Sequence, residues 1–169
     1  NRLEGIVTSV DVINFMGGGD KNLLVENHYN GNLMAAINAE IREIMEDEVI
    51  YLHNTDSIKN GLDIINTKNI GGLPIVDDDD RVCAICTERD FLQFIDGIYA
   101  NKTVGEYMSK NVMKVKSDTS IEEATKIMIN EGFRRLPVVR DSILLGIVTA
   151  TNIMHYLGSG KAFEKLITG

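Results

Sequence analysis

The chain has 169 residues, 44% of them hydrophobic, and a formal net charge of −8, a composition typical of a globular protein that folds in water. The acidic balance argues against a nucleic-acid binder, although two well-placed arginines still suffice for a small phosphate ligand. No apolar stretch approaches the roughly 18 residues of a membrane span, and the first residues show no signal-peptide pattern. We therefore expect a cytoplasmic protein, and the absence of an initial Met predicts a fragment or a processed chain.

The first 16 residues predict the end of a repeat whose beginning is absent. The sequence GIVT at residues 5–8, followed by a helical pattern, matches GIVT at residues 146–149. The glycine-rich segment that follows predicts a flexible connection. We assign residues 1–16 to a strand–helix remnant of a preceding repeat, and residues 17–31 to a linker.

The remainder of the chain consists of two similar copies, 32–98 and 99–169. A shift of 63 residues relates the two copies, and it falls to 62 after the first hairpin turn, where an insertion is tolerated. Matched positions are Ser57 with Ser120, residues 73–76 (LPIV) with 136–139 (LPVV), and Thr87 with Thr149. Two copies, rather than many, suggest a pseudo-symmetric pair.

Each copy predicts the order β-α-β-β-α, so the fold class is α/β (α+β). An amphipathic helix over 32–46 is predicted to lead into the first copy. The strands are predicted at 49–52, 73–76 and 82–85 and at 112–115, 136–139 and 144–148, and the helices end near Asn69 and at Gly132 or begin after Thr87 and Thr149.

Two side-chain clusters suggest metal or redox chemistry, and each has a simpler interpretation. Cys83 and Cys86 have C-x-x-C spacing, but they lie in an apolar run typical of a buried strand, with no second pair to complete a zinc site. We predict two buried thiols in a reducing compartment. The four aspartates at 77–80 could bind calcium, but their position favours a solvated hairpin turn.

The repeated motifs together resemble the CBS domain. They are GFRRLPVV at 132–139, GIVT at 146–149, and TERD at 87–90 before a helix. The resemblance covers about residues 44–157 and the remnant at 3–16. It implies a tandem pair, or Bateman module, in which two sheets pack about a pseudo-twofold axis and two clefts accept adenosine-containing ligands. A chain with further copies upstream resembles archaeal relatives of the gamma subunit of AMP-activated protein kinase, an energy-sensing regulator.

The Thr-x-x-Asp motif supports two interpretations. As a capping box, Thr87 and Asp90 would satisfy the backbone at a helix start without any ligand. The same aspartate could accept both hydroxyl protons of a ribose, and the resemblance favours this role. Thr8 and Asp11 repeat the motif as an incomplete third site. The second copy has Asn152, which lacks the charge that strengthens a ribose contact, so we expect weaker or different binding there.

Arg134 and Arg135 precede the LPVV strand, and the first copy has Gly71 and Gly72 at these positions. A guanidinium matches phosphate oxygens, whereas the simpler interpretation is a solvated surface pair. The glycines would allow close backbone approach.

The resemblance implies that each cleft combines the two repeats, with apolar side chains around adenine. From the residues alone, core packing is the better explanation of those apolar members. The first cleft would comprise Gly71, Gly72, Thr87, Arg89, Asp90, Met108, Met113 and Phe133. The second would comprise Met45, Ile50, Ile70, Arg134, Arg135, Thr149, Thr151 and Asn152.

No pattern in the sequence predicts catalysis, since the three histidines are scattered and no nucleophile–base spacing is present. We expect a regulatory, non-enzymatic module that senses AMP, ADP or ATP. The alternatives are an S-adenosylmethionine sensor and a structural dimerisation module without a ligand. Expected partners are the nucleotide, a second copy or another CBS module, and an unknown regulated protein; no nucleic acid, membrane, metal or catalytic cofactor is expected.

Overall fold

The structure is a computed structural model that describes residues 2–17, 33–94, 101–108 and 112–168. The predicted linker therefore lies outside the described residues, except for Gly17. The described helices are α1 Ser9–Met16, α2 Leu33–Ile37, α3 Ile58–Lys68, α4 Glu88–Phe91, α5 Val104–Tyr107, α6 Ile121–Glu131, α7 Ala150–Gly158 and α8 Lys161–Thr168. The described strands are β1 Leu52–His53, β2 Gly72–Val76, β3 Val82–Thr87, β4 Val115–Lys116, β5 Arg135–Arg140 and β6 Ile143–Thr149.

The strands form two three-stranded sheets of equal order, β1-β2-β3 and β4-β5-β6, which confirms the mixed α/β fold and the repeated β-α-β-β-α pattern. In the first sheet β1 runs parallel to β2, and β2 runs antiparallel to β3. The register shifts between Ile75 and Val76, which pair with Ala84 and Val82, so Cys83 forms a one-residue bulge. The first strand of each repeat is shorter than predicted and begins three residues later.

The two long helices end where their sequences predict, near Asn69 and at Gly132, and each begins at a serine. The hydroxyl of Ser57 accepts from the Asn60 N–H at the start of α3, and Ser120 does the same for Glu123 at the start of α6. Asn69 ends α3 in the left-handed conformation. At the corresponding end of α6, Gly132 has a φ of 69°, which glycine adopts without a steric penalty.

The lead-in helix predicted over 32–46 is wrong as a single element. Asn38 has a φ of 44°, which ends α2 after five residues, and a short 3-10 turn follows at Ile41–Glu43. The apolar spacing was nevertheless informative, because Ile37 and Ile41 are fully buried. Helical periodicity alone did not reveal the break, because a left-handed Asn inside an apolar pattern changes the chain direction without changing which residues face the core.

The chain divides into two compact units that exchange their lead-in segments. Unit 1 comprises residues 1–47, 115–138 and 147–169, and unit 2 comprises residues 48–114 and 139–146. In unit 1, the Ile121 N–H donates to the Ala39 carbonyl and the Ile41 N–H to the Thr119 carbonyl, both at 2.9 Å. Thus the segment before the first repeat packs with the second repeat, and the sequence repeats differ from the structural units.

Unit 2 contains the same arrangement, shifted by 63 residues. The Ile58 N–H donates to the Lys102 carbonyl and the Val104 N–H to the Asp56 carbonyl, both at 2.8 Å. The segment that leads into the second repeat therefore packs with the first repeat. The two units therefore contain equivalent hydrogen bonds, as the repeated sequence suggests.

Each unit has its own apolar core. The core of unit 1 includes Ile13 of α1, which is fully buried, so the N-terminal helix packs on this unit. The segment before α1, predicted as a strand, forms no strand pairing with the described part of the chain and is exposed. Further buried members of unit 1 are Met34, Ile41, Ile121, Met128, Leu136 and Ile153, and those of unit 2 are Leu52, Ile58, Leu73, Ile75, Phe91 and Val104.

The cysteines and the aspartate turn both have structural explanations. Cys86 is buried, whereas Cys83 is half-buried at the bulge, which corrects the prediction of two fully buried thiols. Neither forms a disulfide.

The aspartate-rich turn is closed by its own side chain. The Asp77 carboxylate accepts from the N–H groups of Asp79 and Arg81, both at 3.0 Å. Among the described residues, no group of three His, Cys, Asp or Glu side chains is arranged to hold a metal ion.

Candidate functional site

The first Thr-x-x-Asp motif lies where β3 ends and α4 begins. The backbone N–H and the hydroxyl of Thr87 both donate to Oδ2 of Asp90, at 2.7 and 2.8 Å. The capping interpretation is therefore correct for this oxygen. Among the described residues, no donor reaches Oδ1 of Asp90, and the side chain is half-buried. One carboxylate oxygen thus stabilises the helix start, while the other remains available to a hydroxyl donor.

Seven of the eight residues predicted for the first cleft belong to unit 2, and Phe133 belongs to unit 1. Gly72 lies opposite Thr87 in the antiparallel register of β2 and β3, so the glycine pair is next to the motif. Arg89 is exposed. Met108, which is only 5% exposed, packs in the core of unit 2, whereas Met113 is 41% exposed. The contribution of residues from both repeats to one unit follows from the exchange of the lead-in segments.

The second motif, at the junction of β6 and α7, has the same cap with a different side chain. The N–H and hydroxyl of Thr149 donate to Oδ1 of Asn152, at 2.8 and 2.6 Å. The Asn152 N–H donates back to the Thr149 hydroxyl at 3.1 Å. The side-chain amide of Asn152 also donates to Oε1 of Glu46 at 3.0 Å. Sequence reasoning missed Glu46, because 106 residues separate it from Asn152 and no local pattern marks it.

The cationic residues predicted for the second cleft lie in the same unit as Asn152. The Ala150 N–H donates to the Arg134 carbonyl at 2.9 Å, which places Arg134 beside the start of α7. The Arg134 side chain is exposed, and Arg135 is half-buried at the start of β5. Thr151 is also exposed and Met45 packs against the core of unit 1, whereas Ile50 and Ile70 belong to unit 2.

Several apolar residues predicted to contact adenine are exposed rather than packed in a core. Ile50, Met113 and Phe133 are 40%, 41% and 38% exposed. Core packing, which the residues alone favoured, therefore does not explain these three. It does explain Met108, and in part Met45 and Ile70, which contact the cores of their units.

The third motif has the same hydrogen bonds at the N-terminus. The N–H and hydroxyl of Thr8 donate to Oδ2 of Asp11 at 3.0 and 2.6 Å, and Asp11 is half-buried at the start of α1. All three copies therefore form a capping box, so this structural feature is common to the repeats.

Unit 2 also contains a cleft of about 400 Å³ that the sequence did not predict. Its residues are Asn54, Thr55, Cys83, Ala84, Thr103, Gly105 and Met108. Within the described residues, the buried Oδ1 of Asn54 has no hydrogen-bond partner. The cleft shares only Met108 with the predicted ligand residues and includes neither Thr87 nor Asp90.

Comparison with known proteins resolves the family. The sequence model of the CBS domain matches residues 41–97 and 104–159. The chain belongs to the CBS domain family. The two matches confirm a tandem CBS pair. Protein MJ1225 of Methanocaldococcus jannaschii is 39% identical over 170 residues, covering 100% of this chain and 61% of that protein. A Thermofilum pendens protein is 27% identical over 167 residues, covering 99% of this chain and 56% of its own length, so the chain spans less than two thirds of these relatives.

Solved structures of CBS pairs share this fold. CBSX2, described in complex with AMP, has a TM-score of 0.65 and 26% identity, covering 72% of this chain and 98% of that one. The CBS pair of protein MJ0100, described with 5′-methylthioadenosine and S-adenosyl-L-methionine, has a TM-score of 0.65 and 28% identity, with the same two coverages. Both neighbours therefore hold adenosine-containing ligands. No described helix in this chain has the length and apolarity needed to cross a membrane.

Proposed function

We propose that this CBS pair is a regulatory module that senses adenine nucleotides in clefts to which both repeats contribute. The observation that carries the proposal is the split use of the Asp90 carboxylate, in which Oδ2 caps α4 and Oδ1 has no donor among the described residues. A half-buried carboxylate oxygen without a donor suits the hydroxyl groups of a ribose, because a charged acceptor strengthens such hydrogen bonds. The adenosine-containing ligands of CBSX2 and MJ0100 support this assignment.

The other cleft residues have roles that fit the same ligand. Gly71 and Gly72 allow a ligand to approach the backbone at the start of β2, across from Thr87. The exposed side chain of Met113, in the same unit, offers apolar surface to a purine. In the second cleft, Arg134 and Arg135 supply the cations for the phosphate oxygens of a nucleotide bound there, since a guanidinium presents paired donors.

Binding regulates a partner only if the ligand favours one arrangement of the module over another. We propose that the nucleotide changes the geometry of the pair, or of an assembly with a second CBS module, and that a regulated protein detects this change. Such a module needs no catalytic residue. The function is therefore sensing of cellular adenine nucleotides without chemical conversion.

A second candidate keeps the fold and changes the ligand to S-adenosylmethionine. The ligands of MJ0100 favour this candidate, since both contain adenosine and lack phosphate. The arginines discriminate between the two candidates. Replacing both by alanine (R134A with R135A) should weaken AMP or ATP binding about tenfold or more, because charge-assisted hydrogen bonds are lost. The same change should leave the affinity for S-adenosylmethionine nearly unchanged.

Thermal unfolding against AMP, ADP, ATP and S-adenosylmethionine, each at millimolar concentration, tests the proposal. A ligand at 100 times its dissociation constant stabilises the fold by about 2.7 kcal/mol, a readily measured shift. A rise with a nucleotide supports the sensor, and a rise with S-adenosylmethionine alone supports the second candidate. If no ligand changes the unfolding temperature, the structural dimerisation module is the better assignment.

A further inference from the structure

The side chain of Asn152 cannot serve as the ribose acceptor of the second cleft. Its amide oxygen has two lone pairs, and the structure engages both with the N–H and the hydroxyl of Thr149, at 2.8 and 2.6 Å. The amide nitrogen can only donate. A ligand hydroxyl that needs an acceptor at this position must therefore find it on another residue.

Glu46 provides such an acceptor beside Asn152. The Asn152 amide donates to Oε1 of Glu46 at 3.0 Å, and both groups belong to unit 1. The backbone fixes the position of Glu46, because its N–H donates to the Ile147 carbonyl and its carbonyl accepts from the Ile147 N–H, both at 2.9 Å. The carboxylate itself is exposed, so a ligand can reach it.

We infer that Glu46, oriented by Asn152, is the residue that accepts ligand hydroxyl groups in the second cleft. This inference rests on the proposed function. In the first repeat one aspartate both caps its helix and offers an open oxygen; in the second repeat Asn152 keeps the cap and Glu46 supplies the charge. The arrangement suits the vicinal hydroxyls of a ribose. Any phosphate of the same ligand must lie away from Glu46, toward Arg134 and Arg135.

The hydrogen bond between Asn152 and Glu46 changes the effect expected of Asn152→Asp on ligand binding. Asn152→Asp recreates the Thr-x-x-Asp motif and would ordinarily be expected to improve ribose binding. Here it removes the amide donor and places a second carboxylate against Glu46, where two like charges repel. We therefore expect Asn152→Asp to weaken the second cleft. Adding Glu46→Gln should relieve the repulsion and restore a donor–acceptor pair with the two roles exchanged.

Calorimetric titration with AMP, fitted to two sites, tests the inference in a chain carrying Asp90→Asn, which lowers the affinity of the first cleft and so separates the two sites. Glu46→Gln and Asn152→Asp should each weaken AMP binding about tenfold or more, and the two together should return the affinity to within about threefold of the parent. Glu48→Gln removes the same charge at a nearby exposed position and should change the affinity less than twofold. Thermal unfolding of each variant establishes that it remains folded.

Three results would overturn the inference: an unchanged affinity in Glu46→Gln, a tighter affinity in Asn152→Asp, or AMP binding to the wild type that disappears with Asp90→Asn alone. In each case the proposed function survives, because the wild type still binds AMP. If the wild type binds no AMP, the proposed function fails and the inference fails with it. Glu46→Gln keeps the test decisive even if Asn152→Asp does not fold.

Discussion

The two complete repeats build the same helix cap from different side chains. Thr87 and Thr149 each donate from their N–H and hydroxyl to one oxygen three residues later, at distances between 2.6 and 2.8 Å. Beyond that shared cap they diverge, since Asp90 keeps one oxygen open and Asn152 turns its amide toward Glu46. The cap is common to both repeats, and we propose that the side-chain group not used in the cap decides what each repeat binds.

The cores of the two repeats also share some positions and differ at others. Leu73 and Leu136 occupy equivalent positions in β2 and β5, and both are fully buried. By contrast, Gly61 in α3 corresponds to the buried Ala124 in α6, so the two long helices differ at this matched position. Substitutions at these matched pairs test how far the two repeats are alike.

The largest effect is expected from truncation of the matched leucines. Leu73→Ala and Leu136→Ala should each destabilise the protein by about 2–5 kcal/mol, because both remove a buried side chain and leave a cavity. Urea denaturation measures this directly. A cost below about 1 kcal/mol for either variant would show that its site collapses around the cavity, and would contradict equal packing in the two repeats.

Gly61→Ala is expected to have the next largest effect, despite the higher helix propensity of alanine. A Cβ at Gly61 would lie 2.7 Å from Cζ of Phe91 and 2.9 Å from Cδ1 of Leu52, so the core of unit 2 would have to shift. We expect destabilisation of about 1–3 kcal/mol. The matched control, Ala124→Gly, should cost about 1 kcal/mol through backbone entropy plus the lost methyl contacts. A stabilised Gly61→Ala variant would mean that the Phe91 side chain shifts to accommodate the new methyl group at little cost, and would contradict tight packing at this position.

The hairpin turns are expected to give the smallest effect. Asp141 and Ser142 have φ values of 51° and 73°, so the turn between β5 and β6 demands positive φ at two successive residues. Ser142→Gly should therefore stabilise the protein by about 0.5–1 kcal/mol, as seen in the midpoint of thermal unfolding. Asp79→Gly, in the other turn, serves as the comparison and should not stabilise, because the positive φ of that turn lies at Asp80 (57°) and not at Asp79. A neutral or destabilising result at Ser142 would contradict the assigned turn geometry.

The sequence predicted the repeated features well, because each depends on local chemistry. The ends of α3 and α6, the paired apolar strands and the three Thr-x-x-Asp/Asn motifs all follow from short-range rules. The exchange of lead-in segments, the bulge at Cys83 and the pairing of Glu46 with Asn152 depend on contacts between distant residues. Some local features were also missed: a left-handed residue at Asn38 within an apolar pattern left no signal in the periodicity, and the first strand of each repeat begins later than predicted.

A titration of AMP into wild type and Asp90→Asn tests the central claim most directly. Asparagine retains an oxygen for the cap, as Asn152 shows, so the variant should unfold at nearly the wild-type temperature. We predict that its AMP affinity at the first cleft falls about tenfold, or about 1.4 kcal/mol, because the charged acceptor is lost. Unchanged affinity with unchanged stability would show that Asp90 is only a helix cap and would contradict the assignment of the first cleft.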